Sequence, residues 1–203
     1  MKKFEFIELI NSAMENDEKI EKIKIENLEN VSGLDAINVD FSHVDFNFVD
    51  IIDSNLEKVS FVNSVFNNCN FSNTTFENTS FIRCKFNNCK FTGTVFLKSR
   101  FETIEFLESN FCYSNFSLSN MSNIKFENSV MRNMYFEENR HKKFEIIDSD
   151  LTQASFIKTS LKDVDISSNI ISGLIVGLED IRGAKISELQ ALDLVTLLGV
   201  KIK

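Results

Sequence analysis

The sequence has little of the residue types on which most catalytic and metal sites depend. Its 203 residues include only 2 His and 6 Gly, and no Gly-rich loop is present that could hold a phosphate group. The His and Cys residues do not show the spacing of metal ligands. We therefore expect no catalytic residues, no metal site and no cofactor, and a chain that is not an enzyme.

Long hydrophobic runs and an excess of positive charge are also missing. No segment approaches 18 consecutive apolar residues, which excludes a membrane-spanning helix, and the amino-terminal apolar stretch contains acidic residues, unlike a signal peptide. The formal net charge is −8, which argues against direct binding of nucleic acid through its phosphates and would suit a basic partner. We expect a cytoplasmic protein with no membrane contact and with free thiols.

Phenylalanine, in contrast, is abundant and regularly placed. The chain has 21 Phe but no Trp and no Pro, and 17 of the Phe fall in one five-residue register. Every fifth residue from Phe61 to Phe116 is Phe, and mostly apolar residues continue this register from Val31 to Ile186, with an interruption at His141. The residue two positions before each of these centre positions is mostly small or β-branched, and the remaining positions are mostly polar. The pattern predicts a chain built from one repeating unit.

The five-residue spacing predicts a solenoid. Residues five apart are rotated by roughly 140° on an α-helix and face opposite sides of a strand, so neither element can bury the whole series. Each pentapeptide is instead predicted to form one short side and a corner, with its central side chain pointing at a common axis. The small residues would fill the corners, so we expect Cys69, Cys84 and Cys89 to be buried and Cys112 to face outward as the one reactive thiol.

Both ends of such a rod need caps, because the end coils have unpaired sheet edges. Apolar residues at helical spacing over 4–14, followed by an alternating segment, predict a cap of helix and strand at the amino terminus. At the other end Ser187 and Gln190 form a capping box, and Gly199 ends a predicted helix. The predicted organisation is an amino-terminal cap at 1–30, a solenoid at 31–186, and a closing helix with its tail at 187–203.

The closing helix is predicted to take part in self-association. Its apolar residues cover most of its circumference, which is more apolar surface than the end of one rod can bury. We therefore expect a homodimer formed through the carboxyl-terminal end. The predicted interface residues are Leu189, Leu192, Leu194, Val195, Leu197 and Leu198.

Segments such as VDFSH, CNFSN and SNFSL resemble the repeats of the pentapeptide-repeat family over about residues 31–186. The resemblance implies an all-β fold, a right-handed quadrilateral β-helix with four repeats to a turn, here about eight coils. The end of the chain is similar to that of the bacterial Qnr-type quinolone-resistance proteins. This second resemblance implies a non-catalytic mimic of duplex DNA that binds DNA gyrase and topoisomerase IV and protects them from these antibiotics. It depends on Gly183, Lys185, Gln190, Ala191, Leu198, Gly199 and Ile202.

The placement of charge is compatible with a DNA mimic. With four repeats to a coil, carboxylates gather on the face centred on positions 46, 66, 86 and onward, whereas Arg and Lys gather on the neighbouring face. An acidic side would attract a positively charged partner and raise the association rate. The alternative is a generic protein-interaction rod with an unidentified partner and an ordinary solvated face. The candidate partner-binding residues are Asp45, Glu105, Glu108, Glu127, Glu145, Asp148 and Asp165.

One break in the register is a second candidate contact. His141 stands at a centre position, and a buried imidazole would need a hydrogen-bond partner. We expect a local bulge in which Phe144 replaces the missing core ring. This bulge, either a partner contact or a tolerated irregularity, would project Asn139, Arg140, His141, Lys142 and Lys143.

Overall fold

The centre positions of the five-residue register form one continuous core. In the computed structural model, which describes residues 2–199, Phe61, Phe86 and Phe116 are almost completely inaccessible to solvent, as are the aliphatic centres from Ile146 to Ile171. The small residues two positions earlier are buried as well. Burial of two residues in every five accounts for a well-packed interior in a sequence whose majority is polar.

The strands are short and lie parallel, each on the strand about twenty residues earlier. Phe61, for example, pairs with Phe41 on one side and with Phe81 on the other. The strands are β1 (Ile20–Glu21), β2 (Lys24–Ser32), β3 (Asp35–Ile37), β4 (Asp40–Ser42), β5 (Asp45–Ile52), β6 (Asn55–Glu57), β7 (Ser60–Val62), β8 (Val65–Asn67), β9 (Thr75–Glu77), β10 (Ser80–Asn87), β11 (Arg100–Leu107), β12 (Asn120–Glu127) and β13 (Arg140–Ile147).

These strands build the predicted parallel β-solenoid, with four pentapeptides to a coil. One column of paired strands contains seven strands on successive coils, which span about six turns: β2, β5, β8, β10, β11, β12 and β13. Beyond it, isolated bridges such as Asp150 with Ile170 and Asp165 with Lys185 keep the same register. The expected all-β solenoid is therefore confirmed.

Ring stacking follows directly from the coil geometry. The ring centroids of Phe46 and Phe66 are 4.6 Å apart, and those of Phe66 and Phe86 are 4.4 Å apart, with nearly parallel planes. Rings from neighbouring faces of one coil meet edge to face instead, as Phe66 and Phe71 do at 5.8 Å. Both arrangements are favourable for the quadrupoles of aromatic rings.

At the corners of the coil, two residues after nearly every centre position, the chain adopts a left-handed backbone conformation with positive φ. Asn63, Asn68, Asn73 and Asn78 have φ between 50° and 57°. Asn adopts this conformation more readily than most residues, and Gly93 occupies it with no side chain. The abundance of Asn in the sequence therefore has a conformational cause in addition to its polarity.

The solenoid begins earlier than the repeat pattern indicates. Helix α1 (Lys3–Asn16) packs against the first coils, and Ile20 in β1 already pairs with Phe41. A one-residue irregularity between Leu28 and Val31 shifts the register, because Leu28 pairs with Val49 whereas Val31 pairs with Ile51. Because of this extra residue, the first coil does not fit a strict five-residue register and is missed when the register is followed backwards.

The carboxyl-terminal end is closed by short helices. These are α2 (Leu178–Ile181), α3 (Glu188–Leu194) and a 3-10 helix (Val195–Leu198), and Gly199 ends the segment with φ 73°. The capping box is confirmed, because the Ser187 hydroxyl accepts from the Gln190 amide and the Gln190 side chain accepts from the Ser187 amide. No helix within residues 2–199 is long and apolar enough to cross a membrane.

Candidate partner-binding surfaces

The predicted acidic residues lie on one side of the rod, but lysines alternate with them. The residues immediately before the centres of this face stack in a single column along β5, β8, β10, β11, β12 and β13. In chain order the column reads Asp45, Val65, Lys85, Glu105, Lys125 and Glu145, and Asp165 and Lys185 follow as a bridged pair. The face therefore has alternating charge along this column.

Two of the predicted carboxylates are paired with lysines. The ammonium of Lys85 lies 2.8 Å from a carboxylate oxygen of Glu105, and that of Lys125 lies 2.7 Å from Glu127. The hydrogen bond with Glu127 is the main cause that raises the pKa of Lys125, and the charges of Glu145 and Glu105 act in the same direction. These pairs are accessible to solvent and contribute little to stability. They do reduce the negative field at Glu105 and Glu127.

The other five predicted residues have different surroundings. Glu108 and Asp148 are exposed at one corner, both with left-handed backbone, and lie two coils apart in the same column, with Asn128 between them. Glu145 is exposed and Asp45 is half-buried. The hydroxyl and amide of Ser167 donate to Asp165 and lower the pKa of its carboxyl group. Within residues 2–199, Glu108, Glu145 and Asp148 form no ion pair.

The predicted bulge at the break in the register is wrong. Strand β13 continues through the segment without a register shift, with His141 opposite Met121 and Phe144 opposite Ile124. Asn139 is buried, whereas Arg140 and the lysines that follow His141 project outward. The coil needs no bulge because the half-buried imidazole hydrogen-bonds through Nε2 to the carbonyl of Ser160.

Phe144 does enter the core, as expected, but from a regular position. It stands two residues before the centre at Ile146, in the column where Ile104 and Ile124 stand on earlier coils. Its ring lies 5.0 Å from that of Phe136. The apolar residues at the equivalent positions were the sequence signal that this side chain fits without a bulge.

An apolar groove of about 340 Å³ lies at the carboxyl-terminal end. Of the predicted dimer residues, Leu189 and Leu192 are 80% and 60% exposed, and Leu194, Val195 and Leu197 line the groove. The Leu198 side chain and Ile202 lie outside the described part of the structure. The remaining lining residues, which were not predicted as part of the dimer interface, are Leu178, Ile181, Ala184, Ile186 and Ala191.

The last two centres of the register, Ile181 and Ile186, are not in the core as the pattern predicts. Ile181 is half-buried and Ile186 is 38% exposed. Helix α2 replaces the regular coil at Ile181, which still packs against the edge of the core, and both side chains line the groove. The end of the solenoid therefore has apolar surface where the sequence pattern predicts interior.

Three of the four cysteine thiols lie where the sequence pattern predicts them. Cys69, Cys84 and Cys89 are buried at corners, and Cys112 is half-buried. Burial raises the pKa of Cys84 to about 11. Burial, followed by the neighbouring thiol of Cys69, also raises the pKa of Cys89. Because the thiolate is the reactive form, the thiols of Cys84 and Cys89 are poor nucleophiles at neutral pH.

Sequence comparison identifies the repeats. The family model described as a pentapeptide repeat region matches residues 59–136, which lie within the segment where the sequence pattern predicts such repeats. A search of curated protein sequences finds no match to this chain.

Two similar solved structures cover most of this chain. A trypsin-treated variant of QnrB1, a plasmid-mediated fluoroquinolone resistance protein, is 16% identical with a TM-score of 0.43, over 92% of this chain and 100% of QnrB1. HetL, a pentapeptide repeat protein involved in heterocyst differentiation regulation from the cyanobacterium Nostoc sp. Strain PCC 7120, is 9% identical with a TM-score of 0.43, over 91% of this chain and 94% of HetL.

Proposed function

We propose that this protein is a non-catalytic rod that binds DNA gyrase or topoisomerase IV and protects the enzyme from quinolones by imitating duplex DNA. The observation that carries the proposal is the set of exposed carboxylates on one side of a parallel solenoid, Glu108, Glu145 and Asp148. Duplex DNA is likewise a rod with anionic groups at regular intervals along its length. A positively charged DNA-binding surface would be attracted to both.

The spacing of the carboxylates determines how strongly the rod should attract a positively charged DNA-binding surface. Neighbouring coils are about 4.8 Å apart, so the backbones at Glu108 and Asp148, two coils apart, are separated by about 10 Å along the rod. Duplex DNA carries one charge per about 1.7 Å of its axis. The rod is therefore a sparse mimic, and its charge would act mainly on the association rate and weaken with salt.

The ion pairs indicate which carboxylates would present an unneutralised negative charge to a partner. Glu105 and Glu127 are partly neutralised by their lysines, whereas Glu108, Glu145 and Asp148 are exposed and form no ion pair within residues 2–199. We therefore assign the main electrostatic contact to the last three residues, and a supporting role to the paired ones.

The deciding experiment is a gyrase supercoiling assay in the presence of a quinolone. The protein is expected to restore supercoiling, and a variant with Glu108→Lys, Glu145→Lys and Asp148→Lys is expected to lose this protection. The backbone tolerates Glu108→Lys and Asp148→Lys, because Lys58, Lys98 and Lys143 already have left-handed backbone at equivalent positions of other pentapeptides. Glu145→Lys places a lysine in the column that already contains Lys85 and Lys125.

A matched control reverses three exposed carboxylates of the amino-terminal segment, with Glu8→Lys, Glu15→Lys and Glu18→Lys. It changes the net charge by the same amount and should protect gyrase as well as the original protein. Full protection by the acidic-face variant would refute the proposed contact, and equal losses in both variants would show that only net charge matters.

The alternation of Lys and Glu along the acidic face favours a second candidate, a generic interaction rod with a different protein partner. Lys85, Glu105, Lys125 and Glu145 neutralise one another locally, which suits a partner of mixed charge. This candidate predicts that purified gyrase does not bind at any salt concentration. Binding of gyrase at low salt that fades as salt rises would instead support the DNA-mimic proposal.

We also propose that two copies associate through the carboxyl-terminal groove. Exposed Leu189 and Leu192 beside an apolar groove would be covered in such a homodimer. Leu189→Lys with Leu192→Lys should convert a dimer into a monomer in light scattering. Ile37→Lys with Phe48→Lys, at exposed apolar sites near the other end, should leave the dimer intact. A protein that is monomeric before any substitution would refute this proposal.

A further inference from the structure

A second groove lies on the face next to the acidic one, and it is cationic. It is open, has a volume of about 680 Å³, and crosses β11, β12 and β13. Its polar lining consists of Arg100, Glu102, Asn120, Ser122, Arg140 and Lys142, with His141 beside them. Neither proposed function makes use of this surface.

The groove exists because short side chains on one coil lie between long side chains on its neighbours. Asn120 pairs in register with Arg100 on one side and with Arg140 on the other. In the adjacent column Ser122 lies between Glu102 and Lys142. With coils about 4.8 Å apart, the two walls rise from backbones about 10 Å apart, which leaves room for an extended segment over the middle coil.

The two walls differ in charge. The guanidinium of Arg100 is paired with the carboxylate of Glu102 on the same strand. On the opposite wall Arg140 and Lys142 are exposed and form no ion pair with any residue in the described range 2–199. The imidazole of His141 is hydrogen-bonded to the Ser160 carbonyl behind them. A bound group would therefore meet two free cations on one wall and a neutral pair on the other.

We propose that this groove binds a short acidic peptide segment of a partner protein. A carboxylate can be held by Arg140 in a bidentate manner and by Lys142 as a point charge. The amide of Asn120 and the hydroxyl of Ser122 can hydrogen-bond to the backbone of the segment. The carboxylate of Glu102 and the net charge of −8 disfavour a continuous polyanion such as nucleic acid.

The experiment measures binding of a fluorescein-labelled peptide of alternating Glu and Ser residues by fluorescence anisotropy at low salt. The protein should bind this peptide and should not bind the matching peptide of Lys and Ser. A variant with Arg140→Glu and Lys142→Glu should raise the Kd about 10-fold or more, because both free cations are replaced by carboxylates.

A variant with Lys19→Glu and Lys90→Glu is the matched control, because it changes the net charge equally at exposed sites outside the groove. It should bind the acidic peptide like the original protein, and both variants should keep the original melting temperature. An equal loss of binding in both variants would overturn the proposal, as would no binding of the acidic peptide. Displacement of the peptide by inorganic phosphate or duplex DNA at lower concentrations than by unlabelled peptide would also overturn it.

Discussion

The two halves of the solenoid differ in both core and surface. Between Phe61 and Phe116 every centre is Phe, and the rings stack from coil to coil. Beyond Phe116 the centres include Met131, Leu151 and Ile171, which are buried equally well. The backbone coil therefore does not depend on aromatic rings. The free cations of the cationic groove and the exposed Glu145 and Asp148 all belong to the second half, where the repeat is less regular.

The largest effect that tests this comparison is expected from removing a stacked ring. Phe86→Ala should lower the free energy of unfolding by about 3–5 kcal/mol, because it leaves a cavity between two stacked rings. Leu151→Ala in the second half should cost about 2–3 kcal/mol. Urea denaturation followed by circular dichroism measures both values. A larger loss of stability in Leu151→Ala than in Phe86→Ala would show that the stacked Phe rings do not stabilise their half of the solenoid more than aliphatic centres stabilise the other half.

An intermediate effect is expected at the closing helix. The Gln190 side chain donates to the carbonyls of Ile166 and Asn169 at 2.8 and 2.7 Å, which adds a second hydrogen bond to the Ile166 carbonyl and gives the buried Asn169 carbonyl a donor. Gln190→Ala should therefore cost about 1–3 kcal/mol in the same denaturation experiment. Glu188→Ala, two residues earlier and exposed, serves as the control. A neutral result for Gln190→Ala would mean that solvent replaces these hydrogen bonds.

A smaller effect of opposite sign is expected at Asn139. The Nδ2 atom of this buried side chain has no hydrogen-bond partner within residues 2–199, whereas the hydroxyl of Ser119, one coil earlier, donates to the Phe96 carbonyl. Asn139→Ser should raise the free energy of unfolding by about 1 kcal/mol, since it removes an unsatisfied donor.

Asn169 provides the matched comparison for Asn139. Its Nδ2 donates to the Ile146 carbonyl at 2.9 Å, so Asn169→Ser should lower the stability by a similar amount. Thermal unfolding of both variants shows whether each substitution stabilises or destabilises the protein. A change in the same direction for both would show that the unsatisfied Nδ2 of Asn139 does not explain the difference between the two sites.

The smallest effect is expected at the left-handed corners. Leu118 has φ 60°, a conformation that costs a branched hydrophobic residue more than it costs Asn. Leu118→Asn should stabilise the protein by about 0.5–1 kcal/mol, and Asn88→Leu in the Phe half should destabilise it by a similar amount. The melting temperatures of the two variants test whether both halves of the solenoid require the same left-handed backbone conformation at their corners.

The features that the sequence predicted are those with a local or strictly periodic cause. The burial of every fifth residue follows from the register, and the capping box of Ser187 and Gln190 from residues three apart. The bulge at His141 was wrong because its absence depends on a carbonyl of Ser160, nearly one coil away. The first coil was missed because one extra residue near Asn30 interrupts the count of five.

The candidate surfaces were less predictable for the same reason. Knowing that Glu105 lies one coil from Lys85 requires the twenty-residue register, and knowing that they form an ion pair requires their side-chain positions. The cationic groove likewise arises from the difference in length between Asn120 and its neighbours twenty residues away. Such contacts leave no signal at short range in the chain.

By itself, the sequence determined the solenoid, because one bulky residue in every five can reach a common interior only if the chain turns at every pentapeptide. It also determined the closing helix, whose start and end depend on neighbouring residues. Tertiary structure alone decided which charges are free, because each side chain lies against residues one coil away. The stacking distance between coils, about 4.8 Å, brings those residues within reach of hydrogen bonds and ion pairs.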